Sequence, residues 1–135
     1  MRPHITKVLE TCLYVNDLEV AEKFYTEVLG LKFHKRQPGR HLFLRCGAQM
    51  VLLFDPQTTS KDGKTPHGAV GAGHIAFAAA DEELLLWEKH LSELGIKIED
   101  EVNWPGGGRS IYFRDPAGNS LEFATVRTWG LVDAP

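Results

Sequence analysis

Glu10, His74 and Glu122 are residues of the types that bind divalent metals, one imidazole and two carboxylates. Glu10 and His74 stand 64 residues apart, and so do Asp17 and Asp81. Around them one pattern occurs twice. Residues 10–33 run Glu-Thr-Cys-Leu-Tyr-Val-Asn-Asp-Leu to Val-Leu-Gly-Leu-Lys-Phe; residues 74–98 run His-Ile-Ala-Phe-Ala-Ala-Ala-Asp-Glu to Leu-Gly-Ile-Lys-Ile. Such a repeat predicts a pseudo-twofold cleft into which residues at matched positions point together.

The elements that position these residues follow from periodicity. Residues 8–15 alternate, with Val8, Glu10, Cys12 and Tyr14 on one face and Leu9, Thr11, Leu13 and Val15 on the other, which predicts a strand. Asp17 is the expected N-cap of a helix whose apolar stripe is Ala21, Phe24, Tyr25, Val28 and Leu29, stopped by Gly30. Strands are expected from 31, over 41–46 and over 49–54. In the second copy a strand at 73–79 leads to a helix capped by Asp81, with stripe Leu84, Trp87, Leu91 and Leu94, stopped by Gly95. Strands at 96–101, 110–114 and 120–126 follow, the last two joined by Asp115-Pro-Ala-Gly-Asn119. The matching glycines Gly47 and Gly118 make Val51 the expected counterpart of Glu122.

The expected class is α+β: two βαβββ modules in tandem forming an open eight-stranded cup. One domain spans 1–135, with module one at about 5–55, a Pro/Gly/Ser/Thr-rich linker at about 56–72, module two at about 73–127 and a tail at 128–135. The helix-covered face of strand 120–125 takes Leu121, Phe123 and Thr125, which turns Glu122 toward the cup beside Ser120 and Ala124. His74 shares its face with the small residues Ala76 and Ala78, which leave room for a ligand.

The composition (43% hydrophobic, 24% charged, net charge −3) is that of an ordinary globular protein. It gives no reason to expect nucleic acid or an anionic membrane as partner. The start lacks the apolar run of a signal peptide, and Cys12 and Cys46 form no metal or redox motif, so the expected location is the cytoplasm and the expected state of both thiols is reduced.

Three stretches carry a family resemblance: Leu13-Tyr-Val-Asn-Asp-Leu with Phe24-Tyr-Thr-Glu-Val-Leu-Gly-Leu, Gly73-His-Ile-Ala-Phe, and Tyr112-Phe-Arg-Asp-Pro-Ala-Gly-Asn-Ser-Leu-Glu-Phe. The chain resembles the vicinal oxygen chelate superfamily, which includes glyoxalase I, fosfomycin- and bleomycin-resistance proteins and extradiol dioxygenases. The resemblance implies a divalent metal in the cup, held by Glu10, His74 and Glu122, with Val51 at a fourth position that supplies no ligand. One imidazole and two carboxylates form a harder set than the two-His iron triad, so Zn, Ni, Mn or Mg is expected over Fe. The implied function is a metal-dependent small-molecule enzyme of glyoxalase or dioxygenase type, lyase- or isomerase-like, with Glu10 or Glu122 as the catalytic base. The alternative is a metal-free drug- or metabolite-binding protein of bleomycin-resistance type. A homodimer is implied as well.

Each ligand candidate has a structural alternative: Glu10 exposed or paired with Lys7, His74 a core histidine, Glu122 neutralising Arg109 or Arg114. Candidate substrate-binding residues are Arg40, His41, Arg45, His67, Trp104, Arg109 and Tyr112. Arginines suit an anionic substrate, with Arg40, Arg45 and Arg109 expected near the cup mouth. His67 is expected in a loop over the cup, and Trp104 either walls the pocket or anchors its loop.

Overall fold

A computed structural model describes residues 1–132 as two compact units, the first Met1–Val70 and the second from Gly71 onward. Each holds one four-stranded sheet. In the first, β1 (Glu10–Tyr14), β2 (Lys32–Gln37), β3 (His41–Cys46) and β4 (Gln49–Phe54) lie in the order β1-β4-β3-β2. In the second, β5 (His74–Ala78), β6 (Asp100–Asn103), β7 (Arg109–Arg114) and β8 (Ser120–Ala124) lie in the order β5-β8-β7-β6. The first and last strands of each unit pair in parallel and the rest antiparallel. The tandem βαβββ organisation is therefore present.

The helices form where side-chain spacing gives them an apolar stripe. In the first unit α1 (Leu18–Lys23) is capped by Asp17, whose carboxylate accepts from Val20 N at 3.1 Å. It continues as a wider π turn over Phe24–Val28, with Leu29 N donating to Phe24 O. Ala21, Phe24, Tyr25 and Leu29 are buried, as are Leu13, Leu42, Leu44, Val51 and Leu53 of the sheet, which α1 meets at β3 and β4. In the second unit α3 (Asp81–Glu93) buries Leu84 and Leu91, and Trp87 stacks on Phe123 at 4.3 Å. Gly30 and Gly95 end the two helices at φ +75° and +72°, a conformation that a side chain resists.

Five expectations change. Asp81 is the first residue of α3 and not its cap; Ala80 takes that position and Arg127 binds the Asp81 carboxylate, one bond at 2.8 Å. The segment after β4 is more than a linker, because Asp55 caps the one-turn helix α2 (Pro56–Thr59) and accepts from Gln57 N at 2.9 Å. β6 begins only at Asp100, since Ile96 N is taken up by Leu91 O in closing α3, and Leu94 is exposed. β8 ends at Ala124, and a 3₁₀ turn over Val126–Trp129 follows, with Trp129 79% and Leu131 61% exposed. The last three residues of the tail, 133–135, lie outside the described residues.

The fifth change is one of register. Glu10 pairs with Met50 as His74 pairs with Ser120. The counterpart of Glu122 is therefore Leu52, and that of Tyr112 is Phe43. Val51 instead faces the helix and is buried. The second hairpin is one residue longer than the first, with eight residues between Phe43 and Leu52 and nine between Tyr112 and Glu122, whereas matching Gly47 to Gly118 took the difference as two.

Gly108 marks a close approach of backbones. A Cβ there would lie 2.6 Å from Thr128 Cα and 2.7 Å from Thr128 N. Gly108→Ala is expected to cost about 2 kcal/mol in chemical denaturation. Gly106→Ala, which meets nothing within 4 Å, is expected to be close to neutral.

Candidate functional site

In the second unit the uncovered sheet face carries His74 on β5, Glu122 on β8 and Tyr112 on β7. β8 lies between the other two strands, so Glu122 sits opposite Ala76 on one side and Tyr112 on the other. His74 Nδ1 is 3.0 Å from the carbonyl oxygen of Ser120. A carbonyl only accepts, so Nδ1 carries the proton. In the neutral ring Nε2 then offers a lone pair, and it lies 3.2 Å from Glu122 Oε1. Two acceptors so placed call for a cation between or beside them, either a proton or a metal. A carbonyl behind a ligating imidazole is also the usual device for fixing its tautomer. The donor chemistry therefore fits a divalent ion.

Glu122 is only 8% exposed and forms no ion pair with Arg109 or Arg114. Arg114 pairs with Glu99, and Arg109 points to the helix side, where it binds Glu88 and Glu101. Arg109 is thus not on the uncovered face; its place in β7 alternates with Ser110 and Tyr112. Tyr112 lies beside Glu122, its partner in the strand register. Burial, and then the charge and hydrogen bond of Glu122, push the phenol above its ordinary range, so it stays protonated and donates. Ser110 shares the Tyr112 face of β7, and Trp104 Nε1 donates to Ser110 Oγ at 2.9 Å. Trp104 thereby anchors its loop to a polar line that runs through Ser110 and Tyr112 to Glu122 and His74.

The base of this line is fixed by a turn whose role spacing did not reveal. Asp115 Oδ1 accepts from Ala117 N and Asn119 N, and Asn119 Nδ2 donates to Asp115 Oδ2. Asn119 Oδ1 accepts from Gly73 N at 2.7 Å, which pins the residue before His74. The Asp-Pro-x-Gly-Asn sequence was the signal for it, as an Asx turn.

In the first unit Glu10 is exposed at the start of β1. Within neither unit do three or more His, Cys, Asp or Glu side chains of the described residues gather into a metal-holding group. Arg45 is exposed and meets His34 Nδ1 at 3.1 Å, apart from Arg40 at the opposite end of β3. Arg40, His41 and His67 do come together, with Tyr14, Phe43 and Phe54. His67 Nδ1 shares a hydrogen bond of 2.7 Å with the Tyr14 hydroxyl, and its ring lies edge-on to Phe54. His41 stacks on Phe43 at 4.1 Å. Its pKa is pushed down, first by burial and then by the charges of Arg40 and Lys35. The unfolded ring titrates near 6.5 and the folded ring below it, so lowering pH through that window protonates the unfolded chain preferentially. Stability is therefore expected to fall as pH drops below about 6.5, and the slope to flatten in His41→Phe, as read by urea denaturation at several pH values.

Residues 3–123 match the sequence profile of the Glyoxalase/Bleomycin resistance protein/Dioxygenase superfamily. The chain belongs to that superfamily. The metallothiol transferase FosB of Bacillus licheniformis is 33% identical to it over 112 residues, covering 82% of this chain and 70% of the relative. The glutathione transferase FosA of Serratia marcescens is 31% identical over 110 residues, covering 82% and 74%. A crystal structure of lactoylglutathione lyase from Agrobacterium tumefaciens superposes with a TM-score of 0.90 at 42% identity, covering 94% of this chain and 98% of that one. No helix among the described residues is long and apolar enough to cross a membrane.

Proposed function

We propose that this superfamily member is a metal-dependent enzyme acting on a small molecule, of lyase type, with His74 and Glu122 as metal ligands. The observation that carries the reading is the pairing of an Nε2 lone pair, fixed by the Ser120 carbonyl, with a buried carboxylate 3.2 Å away. The similarity to a lactoylglutathione lyase, a metallothiol transferase and a glutathione transferase favours a substrate that is a thiol or a thiol adduct.

A bound divalent ion would polarise substrate oxygens and stabilise negative charge developing on them. The chain's own groups do the rest. The Ser120 carbonyl holds the imidazole of His74 in one tautomer. Tyr112, kept protonated beside Glu122, supplies a phenol proton that its carboxylate can accept. Glu122 is placed to accept a proton from the substrate, with Glu10 as the other candidate base. Ala76 and Ala78, on the face of His74, leave the space above the pair open.

Protein purified without a chelating column tests this by metal analysis and by thermal shift with Zn, Ni, Mn, Mg and Fe. An ion present at 100 times its Kd adds about 2.7 kcal/mol of stability. A rise in melting temperature with one of the first four supports the reading. Stoichiometric iron would refute the metal preference. No shift with any ion favours the second reading, a metal-free binding protein, for which Leu52 at the position matching Glu122 speaks.

A further inference from the structure

The two sheets end in edges of opposite charge. β2 closes one side of the first sheet and β6 the matching side of the second. All six residues of β2, Lys32-Phe-His-Lys-Arg-Gln37, are exposed, and none is acidic. Along the other edge run Glu99 and then β6, Asp100-Glu-Val-Asn103, exposed except for Val102 and with no basic residue. An edge strand leaves backbone N–H and C=O groups that its own sheet does not use, and a further strand can take them up.

Pairing inside the chain leaves one charge on each edge unmatched. Arg36 binds Glu22 at 3.0 Å, Glu99 binds Arg114 at 2.9 Å and Glu101 binds Arg109 at 3.1 Å. Lys35 and Asp100 form no ion pair among the described residues. Lys35 lies opposite Phe43 and Asp100 opposite Tyr112, so each stands on the uncovered face of its sheet. An antiparallel pairing of Lys35 with Asp100 keeps both uncovered faces on one side. The same register brings Arg36 to Glu99 on the opposite face. A slip of one residue would turn the faces against each other. Two copies of β2 would set cation against cation, and two of β6 carboxylate against carboxylate, so each edge rejects its own kind.

We infer that β2 of one copy of this chain pairs antiparallel with β6 of a second copy, in the register that joins Lys35 to Asp100 and Arg36 to Glu99. Arg36 and Glu99 give up exposed partners for this, and exposed ion pairs are worth little. The bulge between Phe33 and Lys35 ends regular pairing, so the contact is short and belongs to the weak, transient class. Its attraction is mostly electrostatic, and salt screens it. The paired edges are unlike, so each copy keeps a free edge until the assembly closes on itself. Neither strand supplies a proposed metal ligand, so the association stands independently of the proposed function.

Sedimentation velocity of the full chain, from micromolar to millimolar concentration, tests the pairing. Dimers or larger species are expected at low salt, with association weakened about tenfold or more between about 50 and about 500 mM NaCl. Lys35→Asp and Asp100→Lys each set like charges together and are expected to weaken association about tenfold. Both side chains are exposed, so circular dichroism should be unchanged. An equimolar mixture of the two variants is expected to associate again, because β2 of the Lys35→Asp chain meets β6 of the Asp100→Lys chain with opposite charges. A chain that stays monomeric up to millimolar concentration would overturn the proposal. So would association indifferent to both substitutions, which would place the contact elsewhere, or a mixture that fails to recover.

Discussion

Replacing His74 with alanine is expected to abolish the stabilisation by divalent ions and to lower turnover at least a hundredfold. Changes behind a ligand typically cost about 10–100-fold in affinity or activity, and removal of the ligand itself costs no less. The fold should survive, because about half of the His74 side-chain surface is in solvent and its ring adds little to the core. Circular dichroism and the metal-free melting temperature therefore serve as controls. A His74→Ala protein that keeps both its metal and its turnover would remove the imidazole from the site.

The second large effect separates function from stability. Glu122→Leu gives the second unit the residue that the first unit already has at the matching position, Leu52. Metal binding and turnover are expected to disappear. The metal-free protein is expected to be unchanged or more stable by about 1 kcal/mol, because a buried carboxylate costs free energy that an apolar side chain does not. Burial, the first cause of the raised Tyr112 pKa, remains, but the charge of Glu122 is lost, so the Tyr112 ionisation, followed by ultraviolet absorbance, should move down while staying above its ordinary value. Tyr112 then gives a readout of the site independent of activity. A metal-free Glu122→Leu protein several kcal/mol less stable than the wild type would mean that Glu122 is a structural member of the sheet.

Much of this was legible in the chain. The strand alternation that set Leu13 and Val15 inward and Glu10 and Cys12 outward is a period of two, which side-chain chemistry imposes directly. The helix stops at Gly30 and Gly95 are likewise local. The exact partner of Glu122 was less accessible, since strand register depends on turn length and a shift of one residue exchanges the faces. Leu52 and Val51 are both apolar, so composition could not separate them. Arg109 shows the same limit: its charge suggested a substrate contact, while its alternation with Ser110 and Tyr112 assigns it to Glu88 and Glu101 on the other face. The tautomer of His74 depends on a backbone carbonyl 46 residues away, and no side-chain pattern announces it.

The parallel pairing of β5 with β8 bears on the order of folding. The hairpins of the second unit join strands near in sequence, whereas Gly73 and Asn119 are 46 residues apart when they bond. Closing a loop of that size is entropically costly and tends to come after local structure has formed. His74 and Glu122 meet only at this closure. A nascent chain with α3 and its hairpins already in place would still lack the pair, so competence to take up metal ions should arrive abruptly, with the last strand to dock.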